Sequence, residues 1–236
     1  MTVHLVTFAS KPQKHHWDNV VRDFEREASG MQVFAEQYGW QWHRFDQEWL
    51  LQQPFHAQHK DVFSLPNLGW LFKPYCVWRV LREIEEGDIL IWADSSTRFR
   101  SEPKEIIEHA REHGVWVHRH ARDFRERMFC KRDTFVILDC CSEEFLEHQQ
   151  IRTDLLALKK DALAMRLSYS WLLHSCNKVA IGRDDNIDGA PNFDGFDTHR
   201  SHMADQAILS LLTCKFGIEN QPDPIDVLYY KEIFTC

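Results

Sequence analysis

The chain has 236 residues, with 44% apolar and 27% charged side chains, a composition that excludes a disordered or fibrous protein. Its length exceeds the ~150-residue domain prior by about half, so one large domain or two small ones would fit. A formal charge of −8 with interleaved signs argues against a polyanion-binding face, so no nucleic-acid partner is expected, while a small phosphorylated ligand would need only a few basic groups.

No stretch reaches the ~18 uninterrupted apolar residues of a membrane span, so no integral membrane segment is expected. The first residues, Met1 to Ala9, lack a basic start and long apolar core, and read as a strand rather than a signal peptide. Seven cysteines with no C-x-x-C pair argue against a zinc ribbon or thioredoxin-like site and predict reduced, mostly buried thiols in a cytoplasmic protein.

In chain order, Val3–Phe8 is an apolar run ending in the small residues Ala9 and Ser10, a first strand and turn. Residues Trp17–Gly39 begin with Val20, Val21, Phe24 and Ala28 at helical spacing, with Gly39 as a stop. Residues Trp40–Phe45 alternate as a half-buried strand does. Lys73–Glu86 places Val77, Val80, Leu81 and Ile84 on one helical face, closed by Gly87-Asp88. Ile89–Ala93 is continuously apolar, the pattern of a strand covered on both faces, and it breaks into Asp94-Ser95-Ser96-Thr97. Ser101 is a plausible cap for a helix from about Pro103 to His113, with Gly114 as its stop and Val115–His118 as the next strand. This alternation predicts an α/β fold with a mixed sheet, and the lack of linkers or repeats favours one domain over residues 1–236. Residues 153–176 read equally as one long leucine-rich helix or as a strand, Thr153–Lys159, feeding a helix from about Asp161.

Three clusters carry candidate chemistry. Ligands of open α/β sheets sit beyond the carboxyl ends of the strands, which is where Asp94 falls. A carboxylate there can hold a divalent cation, or it can simply cap the following turn. The loop Asp194 to Gln206 contains His199, Arg200, His202 and Asp205 just before an apolar helical run. These residue types suit a metal, a phosphate or a hydroxyl, although Asp205 or Ser201 would also serve as an ordinary helix cap. Lys131-Arg132-Asp133 can reach a phosphate or form a surface salt bridge. The motifs G-x-x-x-x-G-K-S/T, G-x-G-x-x-G and G-x-S-x-G are absent, so P-loop, dinucleotide and hydrolase-elbow readings lack support.

Taken in order, these segments resemble a known group. Gly69-Trp70-Leu71-Phe72-Lys73-Pro74-Tyr75 followed by Gly87 to Asp94 is similar to the "G-Y-W-x-W-K-P-Y … G-D-x-L-x-Y-x-D-A-G" signature of nucleotide-sugar glycosyltransferase-like proteins with the GT-A fold. Lys131 to Phe135 resembles the K-R-D-x-F element of that group, and His199-Arg200 with Asp205 to Leu212 resembles its H-R-x-D-Q-S-x-x-S-L-L element. The likeness spans roughly residues 3–218. It departs at Trp92, which stands where the D-x-D-like motif has its first carboxylate, and at Ser201 to Ala204, which lengthen the last element.

The resemblance implies one Rossmann-like GT-A domain with a mostly parallel sheet flanked by helices, and a strand at Thr153–Lys159. It implies transfer of a sugar from a nucleotide-diphosphate sugar donor to a hydroxyl acceptor such as a glycan, with Mn²⁺ or Mg²⁺ as cofactor. Donor binding is then expected of Ala9, Lys73, Asp94, Ser96, Lys131 and Arg132, and acceptor binding of Asp133, His199 and Arg200. The metal is expected on Asp94 and His202, and Asp205 is the candidate base for the acceptor hydroxyl. Two other readings remain: an inactive nucleotide-sugar binding module, suggested by Trp92, and a metal-dependent hydrolase built on His199, His202 and Asp205.

Overall fold

The computed structural model describes residues 1–9, 13–14, 21–22, 24–120, 122–183, 185–193, 201–224 and 227–228. Five strands form the central sheet: β1 (Val3–Ala9), β2 (Gln41–Asp46), β3 (Ile89–Ala93), β4 (Val115–Arg119) and β5 (Ile151–Lys159). Their spatial order is β2-β1-β3-β5-β4. β1 runs parallel to β2 and β3, whereas β5 is antiparallel to both β3 and β4. The sheet is therefore mixed and mainly parallel, with β3 at its centre.

The apolar runs are continuous because both faces are covered. Val6, Leu90, Trp92, Leu156 and Leu158 pack under α2 (Phe72–Glu83), α5 (Ala162–Ser175) and α6 (Asp205–Lys215). The alternate residues Leu5, Ile89, Ile91, Leu155 and Ala157 pack under α1 (Phe24–Gln37) and α3 (Lys104–His113). Residues 155–158 are buried four in a row, as a strand covered on both faces allows, and they pair with β3 and β4. That settles 153–176 as strand then helix.

The Asp161 side chain accepts the Ala164 N–H at 2.9 Å and starts α5. The same Asp161 lies against Gly114, which ends α3 at φ +85°; a Cβ on Gly114 would meet Asp161 Oδ2 at 2.8 Å. One glycine thus permits both the left-handed turn and the close approach of the next cap.

Several local expectations change. α1 begins only at Phe24, and Val21–Arg22 pairs instead with Gln13–Lys14 as a short antiparallel ribbon. Ser101 does not cap α3, which starts after Pro103 with no side-chain cap. α2 ends at Glu83, and Ile84 is already extended, so residues 84–86 lead into β3 rather than extending the helix. Neither Ser201 nor Asp205 caps α6: the cap position is Ala204, and Asp205 is its buried first residue.

Cys76, Cys130 and Cys140 are buried free thiols, Cys176 and Cys214 are half-buried and Cys141 is exposed; Cys236 lies outside the described residues. Among the described residues no helix is long and apolar enough to cross a membrane.

Gly114→Ala combines a positive φ with a clash on the Asp161 carboxylate that caps α5, so it is expected to destabilise by more than ~1 kcal/mol. Urea denaturation at constant m-value would show it, and an unchanged midpoint would count against this account.

Candidate active site

Asp94 follows β3 directly, its N–H donating to the Asp154 carbonyl at 2.8 Å. It stands at the carboxyl end of the central strand, about one-third exposed. Its Oδ1 accepts the Trp92 indole N–H at 3.0 Å and lies 3.0 Å from Lys73 Nζ.

Lys73 is in the first turn of α2, where Pro74 is tolerated because that turn has no intrahelical donor to lose. The lysine is only 3% exposed. Its Nζ donates to the Thr153 carbonyl at 3.0 Å and to Thr153 Oγ1 at 3.3 Å, and lies 4.0 Å from Asp205 Oδ2. Burial alone would lower its pKa, but the Asp94 and Asp205 carboxylates outweigh it and hold the ammonium above its ordinary value.

Asp205 is also 3% exposed. Its Oδ2 accepts the Thr153 hydroxyl at 3.3 Å, and the Trp171 indole N–H donates to its carbonyl at 2.9 Å. Burial pushes its carboxyl up to about 6; Lys73 opposes that rise and Asp94 adds to it. Ala204, just before it, has φ +49°, a backbone that a non-glycine residue holds only when its surroundings impose it.

Thr153 can face this cluster because β5 bulges. Val117 pairs with Leu156, but His118 pairs with Arg152, so residues 153–155 have no counterpart on β4. Beside Thr153, Asp154 turns to a second buried group. His118, fully buried, has Nδ1 at 2.7 Å from Asp223 Oδ1 and Nε2 at 3.3 Å from Asp154 Oδ1. Arg152 pairs with Asp154 and lies 3.8 Å from Asp223. Burial would lower the His118 pKa, but hydrogen bonds to Asp154 and Asp223 raise it above the ordinary value. These contacts, with Gln221 bonded to Val117 and Arg119, fasten residues 221–223 alongside β4.

An aromatic lip adjoins Lys73. Asn67, Leu68, Gly69 and Trp70 are all left-handed, with φ between 54° and 59°. A Cβ on Gly69 would come 2.7 Å from the Val62 carbonyl. Three of these four residues carry side chains, and such a backbone persists only where the surrounding packing imposes it. It brings the half-buried Trp70 ring within 5.9 Å of both Lys73 Nζ and the guanidinium of the exposed Arg183. Asp205 is close enough to Arg183 to act on it electrostatically.

The expected residues separate accordingly. Lys73, Asp94 and Asp205 converge. Ala9 ends β1 at the same sheet edge with its side chain buried, and Ser96 sits in the Asp94–Thr97 turn. Lys73 has Asp94 and both Thr153 oxygens about its Nζ, so it is placed to hold the carboxylates rather than to reach a phosphate.

Arg132 pairs with Asp188 at 2.8 Å, and Asp133 accepts the Ile187 N–H at 2.9 Å. Both fasten residues 186–192 to α4 (Arg132–Leu138), the ordinary salt-bridge role. Lys131 is buried, its N–H donating to His202 Nδ1 at 3.3 Å, while His202 Nε2 donates to the Ala180 carbonyl at 2.8 Å. Both His202 nitrogens are thus engaged, leaving no lone pair for a metal, which removes the expected ligand and weakens the hydrolase reading. His199 and Arg200 lie outside the described residues.

Trp70, Thr153 and Arg183 carried no role in the sequence reading. Trp70 lies inside the resembling motif and Arg183 inside a polar stretch, whereas nothing local marks Thr153. A cavity of about 430 Å³ at the start of α3, lined by Tyr38, Glu102, Lys104, Pro224 and Val227 among others, shares no residue with this cluster. Its charged lining residues are exposed or half-buried, without the converging buried charges found around Lys73.

No protein-family model matches the chain, and no curated protein matches it in sequence. Among solved structures, the apo form of mouse xyloside xylosyltransferase 1 is similar over 94% of this chain and 85% of that one, at 12% identity and a TM-score of 0.48. A glycosyltransferase involved in glycosylation of the major capsid of PBCV-1 is similar over 73% of this chain and 66% of that one, at 11% identity and a TM-score of 0.36.

The His118 pair makes a pH prediction. A histidine whose pKa rises on folding stabilises fully below its unfolded value of about 6.5, and that stability is lost as pH climbs through the folded value. His120 and His148, both lowered to about 4 chiefly by burial, act the opposite way, and their contribution is complete above about 6.5. As pH rises above about 6.5 the wild type should therefore lose melting temperature relative to His118→Gln. Parallel curves would refute a His118 pKa raised by folding.

Proposed function

We propose that the chain is a glycosyltransferase that moves a sugar from a nucleotide-diphosphate sugar to an acceptor hydroxyl. The observation that carries this reading is the pair of carboxylates Asp94 and Asp205, at the carboxyl edge of the central strand and sharing one buried ammonium. The motif resemblance sets the substrate class, and the geometry supplies groups suited to the chemistry.

Transfer breaks the bond between the sugar and the diphosphate, which leaves with the electron pair. It forms a bond from the acceptor oxygen to the sugar and releases the hydroxyl proton. A carboxylate with a pKa near 6 is ionised at pH 7 yet basic enough to take that proton. Asp205 has this character. Arg183, exposed over Trp70, is a cation that could meet a leaving diphosphate, as charge developing on the leaving group requires. Asp94 is the more accessible of the two carboxylates and is the one a substrate would meet first.

The Mn²⁺ or Mg²⁺ implied by the resemblance fits these residues poorly. Asp94 Oδ1 already receives an indole N–H and an ammonium, and His202 is engaged. Among the described residues no group of three His, Cys, Asp or Glu side chains is placed to hold a metal ion.

A thermal-shift screen of UDP-, GDP-, dTDP- and CMP-sugars tests the donor class, because a ligand of the folded state raises the melting temperature. Absence of any shift would defeat the reading, and binding without transfer would assign the chain to the inactive binding modules. Asp205→Asn should keep the donor shift and lower transfer at least ~10²-fold. A carboxyl whose pKa rises on folding disfavours the folded state once ionised, so at pH 8 this variant should melt no lower than wild type. Near-normal turnover would move the base to Asp94.

A further inference from the structure

We propose that the ammonium of Lys73 is a built-in cation, occupying the oxygen cage at the end of β3 where a divalent ion would otherwise sit, so that Asp94 and Asp205 are held in place without a metal. This deepens the reading of the site given above, but its test measures cation binding rather than transfer, so either can fail alone.

Four oxygens surround Nζ: Asp94 Oδ1 at 3.0 Å, the Thr153 carbonyl at 3.0 Å, Thr153 Oγ1 at 3.3 Å and Asp205 Oδ2 at 4.0 Å. Two carboxylates, a carbonyl and a hydroxyl are the donor set of a hard divalent cation. Here they come from β3, the β5 bulge and α6, and they close on a side chain from α2.

The lysine side chain is 4% exposed, so the ammonium is lodged among these oxygens rather than resting at their mouth. A divalent ion coordinated by the same oxygens would lie against Nζ, and like charges in a buried site are weakly screened. Trp92 reinforces the exclusion. At the position where a two-carboxylate clamp would supply a ligand, it supplies an N–H donor to the oxygen that Lys73 also holds. The carboxylates keep the lysine protonated despite its burial, so the cage retains its cation at neutral pH.

Titrating the protein into Mn²⁺ and following the free-ion electron paramagnetic resonance signal tests this. Wild-type protein should show no Mn²⁺ binding that depends on Asp94. Lys73→Ala should open the cage, bind about one Mn²⁺ that Mg²⁺ or Ca²⁺ displaces, and lose that binding when Asp94→Asn is added. At ~100-fold excess over its Kd, Mn²⁺ should raise the melting temperature of Lys73→Ala by roughly 5–10 °C, with no such effect on wild type. A lysine with a merely structural role would create no cation site when removed. Mn²⁺ bound by wild type and lost in Asp94→Asn would overturn the proposal, as would a folded Lys73→Ala that binds no Mn²⁺. If Lys73→Ala does not fold, the comparison of wild type with Asp94→Asn decides.

Discussion

A lysine buried at the junction of α2, β3, β5 and α6 constrains the whole carboxyl edge of the sheet. Removing an ammonium from water is costly, and the cost is offset only where oxygens replace its hydration shell with good geometry. Asp94, Thr153 and, at longer range, Asp205 do this for Lys73. Each belongs to a different element, so the ion pair fixes how the elements meet as well as the charge of the site. It also explains why the buried Asp205 can lie near a second carboxylate, that of the partly exposed Asp94. Without the shared ammonium their repulsion would push one toward neutrality; with it, Asp205 rises only to about 6.

The β5 bulge is the local device on which this depends. A regular strand would send Thr153 and Asp154 to opposite faces of a flat ladder. Three residues without counterparts on β4 instead let Thr153 meet Lys73 and Asp205 while Asp154 meets His118. Two buried charge clusters therefore share one backbone feature, and the Asp154 carbonyl also receives the Asp94 N–H. A change in the His118, Arg152 and Asp223 group would be felt at Asp94 through a single peptide.

The groups around the buried pair are of a different kind. Trp70 and Arg183 sit on irregular segments, one a left-handed turn packed on Val62 and the other beyond the short helix Lys178–Ile181. Loops carried on a rigid sheet are where binding residues usually lie. Here a buried, charge-balanced floor lies beneath a half-buried aromatic ring and an exposed guanidinium, the arrangement on which the proposed transfer rests.

The amino-acid sequence by itself determined the alternation of strands and helices, because both-face burial of Ile89–Ala93 and one-face periodicity in Lys73–Glu86 are written in local spacing. It also determined the place of Asp94, where an apolar run breaks into polar residues at the end of a strand. Only the tertiary structure decided whether 153–176 began as strand or helix, since four consecutive apolar residues fit either until both sheet faces are seen to be covered. It decided too that Lys73 faces carboxylates, that Arg132, Asp133 and His202 hold loops, and that Asp205 is buried rather than a cap. Those assignments depend on partners roughly 20 to 130 residues away in the chain, and a side chain's charge and reactivity follow from its neighbours in space, which local spacing does not encode.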